Sequence, residues 1–188
     1  MFERFTKDAR DVVKGAFAYV DGGGGGRCVE PEHLLLALLD REASRGSFAL
    51  SALGLGERRE SVREALRQAR RRAGLSRAEA DALSGLGIDV AEIVARVEEV
   101  HGVGAMAGDT QDKRWWSGRP SFGRAAKGVL EHSLRVALAR RDRHIGDEHL
   151  LLALTARPGV PAEVLADHGV TYESLTRVLY GGGEAKAG

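Results

Sequence analysis

Two glutamates in this sequence, Glu32 and Glu148, each stand directly before a histidine, His33 and His149. A carboxylate beside an imidazole invites a metal-binding or acid–base reading. Helical spacing argues against it: neighbours on a helix point about 100° apart, so the pair cannot close on one ion as the histidines of His-Glu-x-x-His do. Each histidine is better read as packed at a seam or capping a helix. The carboxylates have two readings. In the first turn of a helix a carboxylate is stabilised by unpaired amides, by a few tenths to about 1 kcal/mol. It can also receive a guanidinium through paired, charge-assisted hydrogen bonds. Near the start of the chain, Thr6 sits where a helix N-terminus offers free amides and Arg4 adds a cation, so the two together make an anion site. That site is expected beside Glu32. The other histidines (His101, His132, His144 and His168) show no ligand spacing, and neither Cys28 nor any serine stands in a nucleophile motif. No catalytic residue, metal ligand or cofactor is assigned, and no enzymatic activity is expected.

The elements that must position these residues come from a duplication. The residues Glu-His-Leu-Leu-Leu-Ala-Leu occur twice without change, beginning at Glu32 and at Glu148. Upstream, Phe5, Ala9, Val12 and Val13 meet Phe122, Ala126, Val129 and Leu130 at an offset of 117. Downstream, Leu50 and Gly54 meet Leu165 and Gly169 at an offset of 115. Around these blocks the apolar spacing is helical throughout, and no stretch alternates at period two, so no sheet is expected. Thr6 caps a first helix, which ends at the five glycines 22–26; Pro31 suits the first position of a second. A short third helix is expected over 48–53. The second copy repeats the plan over 124–139, 146–156 and 162–168, with a terminal helix from a Thr171 cap to Tyr180. Between the copies, 57–73 reads as a charged helix, and capping signals at Ser76 and Asp89 start two more. The glycine-rich stretch from His101 to Pro120, around Trp115 and Trp116, reads as a loop, and 181–188 as a flexible tail.

Composition bounds the function class. Of 188 residues, 28 are Lys or Arg and 27 Asp or Glu, and the net charge of +1 is too balanced for a domain that coats nucleic acid. The lone Cys28 excludes an internal disulfide and suits a reducing cytoplasm. No signal peptide or membrane-length apolar run is present. The 57–73 helix carries seven arginines against three glutamates. A solvated face is the default reading for it, and contact with nucleic acid or an acidic partner the alternative.

The opening Met-Phe-Glu-Arg-Phe-Thr, the apolar helix, the repeated motif and a second copy opening at Phe122 together resemble the double-repeat N-terminal domain of Clp-type AAA+ unfoldases, especially ClpC. The resemblance covers roughly 1–56 and 86–180. It implies an all-α fold: two pseudo-symmetric four-helix Clp repeats, with core helices in 1–56 and the second repeat in 122–180, packed as one domain with a helical insertion and flexible loop at 57–121. The C-terminal part of that insertion is an alternative source of the helix that completes the first repeat. It also implies a role in receiving substrates and adaptor proteins for an ATP-driven unfoldase. The chain has no Gly-x-x-x-x-Gly-Lys-Ser/Thr phosphate loop and no room for the ATPase modules, so it is expected to bind without unfolding.

The family further implies phosphoarginine as a ligand, with Arg4, Thr6, Glu32 and Glu148 as site residues. Gly123 stands where the second copy would need the equivalent of Thr6, which implies one full and one weakened site. Phe2 and Phe122, at the start of each copy, are either core residues or, as the resemblance implies, the lining of an inter-repeat groove for hydrophobic or cyclic peptides. The expected partners are a Clp ATPase or its protein substrates, with the chain as adaptor, competitor or sink. The alternatives are the N-terminal domain of a longer ClpC-type ATPase and a basic helical nucleic-acid-binding regulator.

Overall fold

Helices form where caps and apolar spacing place them. The computed structural model describes residues 2–21, 28–71, 75, 77–101 and 121–181. After a 3-10 turn at Phe2–Arg4, α1 spans Lys7–Asp21. The Thr6 hydroxyl accepts from the Ala9 amide at 3.2 Å, the N-cap that the sequence predicts. Next come α2 (Pro31–Leu39), α3 (Arg45–Ala52), α4 (Arg59–Arg71), α5 (Arg77–Gly85) and α6 (Val90–His101). The second copy supplies α7 (Arg124–Ala139), α8 (Asp147–Ala156), α9 (Val160–Asp167) and α10 (Tyr172–Tyr180). Pro31 takes the first position of α2, and the Thr171 hydroxyl caps α10 through the Ser174 amide at 3.1 Å. Asp89 caps α6 through the amides of Ala91 and Glu92. The glycine run, the segment around Trp115 and Trp116 and the residues after Gly181 lie outside the described residues.

The duplication is visible in backbone detail. Gly54 (φ 80°) and Gly169 (φ 81°) end α3 and α9 in the left-handed conformation, where a side chain is strained. The next amides, of Leu55 and Val170, turn back to the carbonyls of Leu50 and Leu165 at 2.9 and 2.8 Å. The halves also exchange partners: α4 packs on α9, and α10 packs on α3. In the first copy α4 therefore holds the place that α10 holds in the second. The expected boundary at 56 cuts through the first unit, because four helices need 59–71. The fourth helix buries only a thin stripe (Val62, Leu66, Ala69) under a charged surface. That surface hides its kinship with Tyr172–Tyr180.

The expectation of no sheet needs a small correction. β1 (Cys28–Val29) pairs in parallel with β2 (Ser121–Phe122), and Phe5 forms an isolated parallel bridge with Ile145. Two residues per strand carry no readable period; the approach of the two copies creates the pairing. The pairs are related by the duplication, since Phe5 answers to Phe122 and Val29 to Ile145. Matching bonds confirm it, Thr6 N–H to Ile145 C=O at 2.9 Å and Gly123 N–H to Val29 C=O at 3.0 Å.

One apolar core spans both copies, running from Phe5, Val12 and Leu34 to Leu150, Leu154 and Leu175. Its centre is α8, which touches α1, α2, α3, α7, α9 and α10 and is buried from Asp147 to Leu154. At about 25 cal/mol per Å² of apolar surface, leucines this deep are worth about 1.5–3 kcal/mol each relative to exposure. The α5–α6 hairpin packs mainly on itself and leaves Leu86, Ile93 and Val100 exposed.

Candidate functional site

The two repeated Glu-His pairs fold alike but end in different surroundings. Each histidine caps its own helix. The Glu30 amide donates to His33 Nδ1 and the Gly146 amide to His149 Nδ1, both at 2.9 Å. Because Nδ1 accepts, the ring proton of His149 sits on Nε2, where it meets Asp142 Oδ2 at 2.9 Å. The Tyr180 hydroxyl lies 3.3 Å from the same nitrogen, with the Arg140 guanidinium 4.1 Å above the Tyr180 ring centre. These histidines are structural, and among the described residues no group of His, Cys, Asp or Glu is arranged to hold a metal ion.

The glutamates diverge in burial although α2, like α8, packs on helices of both copies. Glu32 is half-buried, whereas Glu148 is 4% exposed. The Glu148 carboxylate lies over the backbone of Gly146, where a Cβ would come within 1.9 Å of Oε2, so any side chain there would displace the carboxylate. Its Oε1 accepts from the Arg45 guanidinium at 3.0 Å. Burial pushes the Glu148 carboxyl above the usual 4.5; its backbone hydrogen bond, His149 and Arg45 oppose the rise, and Asp147 adds to it. Asp147 is engaged beside it through one oxygen, its Oδ2 accepting from the Ser44 hydroxyl at 2.5 Å and the Gly46 amide at 3.0 Å.

These groups line a cavity of about 240 Å³ together with Thr6, Asp8, Arg143 and His144. The cavity joins the N-terminus of α1 to the N-terminus of α8. The expected anion site at Thr6 therefore faces Glu148 of the other copy, not Glu32. The pairing seen at Thr6 and Ile145 explains the correction, since it sets the start of α1 against the start of α8. Arg4 lends its carbonyl to Ile145 N–H at 2.8 Å, while its side chain is exposed and does not line the cavity.

The equivalent position in the other half is filled from within. A Cβ on Gly123, the N-cap of α7, would meet Glu30 Oε1 at 2.0 Å, so the Glu30 carboxylate stands over this helix start. A carboxylate there satisfies the positive end of α7 without any ligand.

The side chain of Phe2 lies outside the described residues. The partner of Phe122 under the duplication is Phe5, not Phe2. Phe5 is 4% exposed, and Phe122 is half-buried with its ring edge-on to Phe17 at 5.0 Å. Structure thus brings together Thr6 and Glu148 and separates both from Glu32. It adds Arg45, Arg143 and Asp147, which sequence reading missed. The acid preceding Glu148 was the one available signal, since the first copy has proline there.

Two arginines of α4, Arg63 and Arg67, are paired internally. Arg63 reaches Asp40 at 2.5 Å, and Arg67 reaches Glu60 and Glu64, both at 2.8 Å. Arg59 donates to the Leu39 carbonyl at 3.1 Å. No helix among the described residues is long and apolar enough to cross a membrane.

Comparison with known proteins agrees with this architecture. Residues 121–184 match the family model of the Clp repeat (R) N-terminal domain. Among solved structures, the N-terminal domain of the caseinolytic protease associated chaperone ClpD from Arabidopsis thaliana is similar at 20% identity. That match covers 95% of this chain and 94% of the other, with a TM-score of 0.55. A chain from work on a malarial protein secretion system is similar at 14% identity over 97% of each chain, with a TM-score of 0.54. Residues 121–184 thus carry the sequence of a Clp repeat, and nearly the whole chain has the fold of a Clp N-terminal domain.

Proposed function

We propose that the chain is a non-catalytic receptor for protein segments, and that the Glu148 cavity takes an arginine side chain bearing a phosphoryl group. The observation that carries this reading is the buried Glu148 carboxylate facing the start of α1 across a cavity edged by Arg45 and Arg143. A carboxylate beside an anion-accepting helix start complements a group that is cationic at one end and anionic at the other. Thr6 and the first-turn amides of α1 suit the phosphoryl oxygens, and Glu148 suits the guanidinium nitrogens. The proposed setting is the cytoplasm, beside a Clp ATPase whose substrates the chain receives as adaptor, competitor or sink. The internal pairing of Arg63 and Arg67 favours this over nucleic-acid binding.

Calorimetry with free phosphoarginine, and with arginine as control, tests the proposal. Glu148→Gln should lose about tenfold or more in affinity, the scale of a charge-assisted hydrogen bond worth about 1.5–3 kcal/mol. Glu32→Gln should bind like the parent. Equal losses in the two variants, or no binding by the parent, would refute the assignment.

A further inference from the structure

Arg45 has a second side. Besides meeting Glu148, it lines a separate groove of about 670 Å³ between α3 and α10, walled by Phe48, Val178 and Leu179 and reaching Arg59 and Glu42. Phe48 is 64% exposed, on the face of α3 opposite the buried Ala49 and Leu50. Nothing in the fold requires an aromatic there. In α9, which takes the same place in the other copy, the positions answering to Arg45 and Phe48 are Val160 and Glu163. Val178 and Leu179 continue the apolar wall while packing on the core beneath.

Charge then selects the occupant. Arg59 meets no carboxylate among the described residues; its only bond is to the Leu39 carbonyl, and its Nε is buried without a hydrogen-bond partner. Arg45 is 57% exposed even with Glu148 bound. Two guanidiniums against the single Glu42 leave the lining net positive around an apolar floor. We infer that this groove docks an extended protein segment presenting a bulky apolar side chain beside a carboxylate. The apolar group lies against Phe48, Val178 and Leu179, and the carboxylate turns to Arg59. Aromatic anchors in such grooves carry much of the binding, and the flanking charge discriminates between segments. The inference stands apart from phosphoarginine recognition, which uses the other side of Arg45.

Fluorescence anisotropy with the full chain tests it. The probes are a fluorescein-labelled Gly-Glu-Leu-Phe-Glu-Gly peptide and its counterpart with lysines for glutamates. The acidic probe should bind about tenfold tighter than the lysine probe. Phe48→Ser should weaken it about tenfold. Ser51→Glu, at an exposed position on the groove wall, should weaken the acidic probe and narrow the preference. Both variants should keep the parent melting temperature and the parent affinity for free phosphoarginine. Failure of the acidic probe to bind, equal affinity for the two, or parental binding by Phe48→Ser would overturn the inference. So would self-association that Phe48→Ser abolishes without any probe binding, since a second copy would then own the groove.

Discussion

The backbone amide of Thr6 donates to the carbonyl of Ile145 at 2.9 Å, across the boundary between the two copies. Phe5, the neighbour of Thr6, forms the bridge with Ile145 and is buried there. We predict that Phe5→Ala costs about 3–5 kcal/mol of stability, as loss of a buried aromatic does. Phe122→Ala should cost less, because its ring is only half-buried where it packs against the core and edge-on to Phe17. Urea denaturation of both variants checks the order; a larger loss for Phe122→Ala would contradict it.

A pH dependence follows from burial of Glu148. Its carboxyl titrates above the usual 4.5 in the folded protein, so the folded state holds that proton more tightly than the unfolded chain. The stability it contributes is complete below the unfolded value and is lost as pH rises through the folded one. Glu148→Gln carries no such dependence. The melting temperature of the parent relative to this variant should therefore fall as pH increases from about 4.5. A flat difference, or one that grows in the parent's favour, would show that Arg45 and not desolvation governs the residue. Phosphoarginine affinity should rise over the same window, because only the ionised carboxylate receives a guanidinium.

Asp147 holds the first copy to the second through Ser44 and Gly46. Asp147→Ala leaves a buried hydroxyl and a buried amide without their acceptor, a loss of about 1–3 kcal/mol. Gly46→Ala should also destabilise, since its Cβ would stand 2.5 Å from the same carboxylate oxygen. Thermal melts measure both; a neutral Asp147→Ala would mean that other acceptors replace it.

The half filled by Glu30 can be opened. Gly123→Thr with Glu30→Gly restores a hydroxyl at the start of α7 and removes the carboxylate that covers it. Calorimetry should then give two phosphoarginine equivalents per chain where the parent gives one. The second should disappear on adding Glu32→Gln. Unchanged stoichiometry would mean that Glu32 is unsuited to a guanidinium.

The helices were legible because their signals are local. The Thr6, Asp89 and Thr171 caps, Pro31, and the apolar spacing of α1, α2 and α8 each act within one turn. The repeat likewise revealed which residues correspond. Correspondence is not adjacency, however. A tandem duplication packs each start either against its own copy or against the other, and nothing in the order of residues chooses between them. Thr6 was therefore matched with Glu32 although it adjoins Glu148. Arg45 was missed for the same reason, since its partner lies 103 residues away. The fourth helix of the first copy was obscured by its arginine-rich surface, where Arg63 pairs with Asp40 of another element only through tertiary packing.

The exchange of α4 and α10 between the copies bears on how the molecule comes apart. Neither half closes its own core: α9 is covered by α4 and α3 by α10, and each parallel bridge takes one strand from each side. The two repeats are thus two genetic units but one cooperative unit, melting in a single step rather than as two domains in succession. Residues 1–101 and 121–181, produced as separate polypeptides, should each be unfolded alone and regain helical structure when mixed. An ancestor holding one repeat would have met the same need by pairing with an identical partner, and the duplication would have made that dimer permanent within one chain.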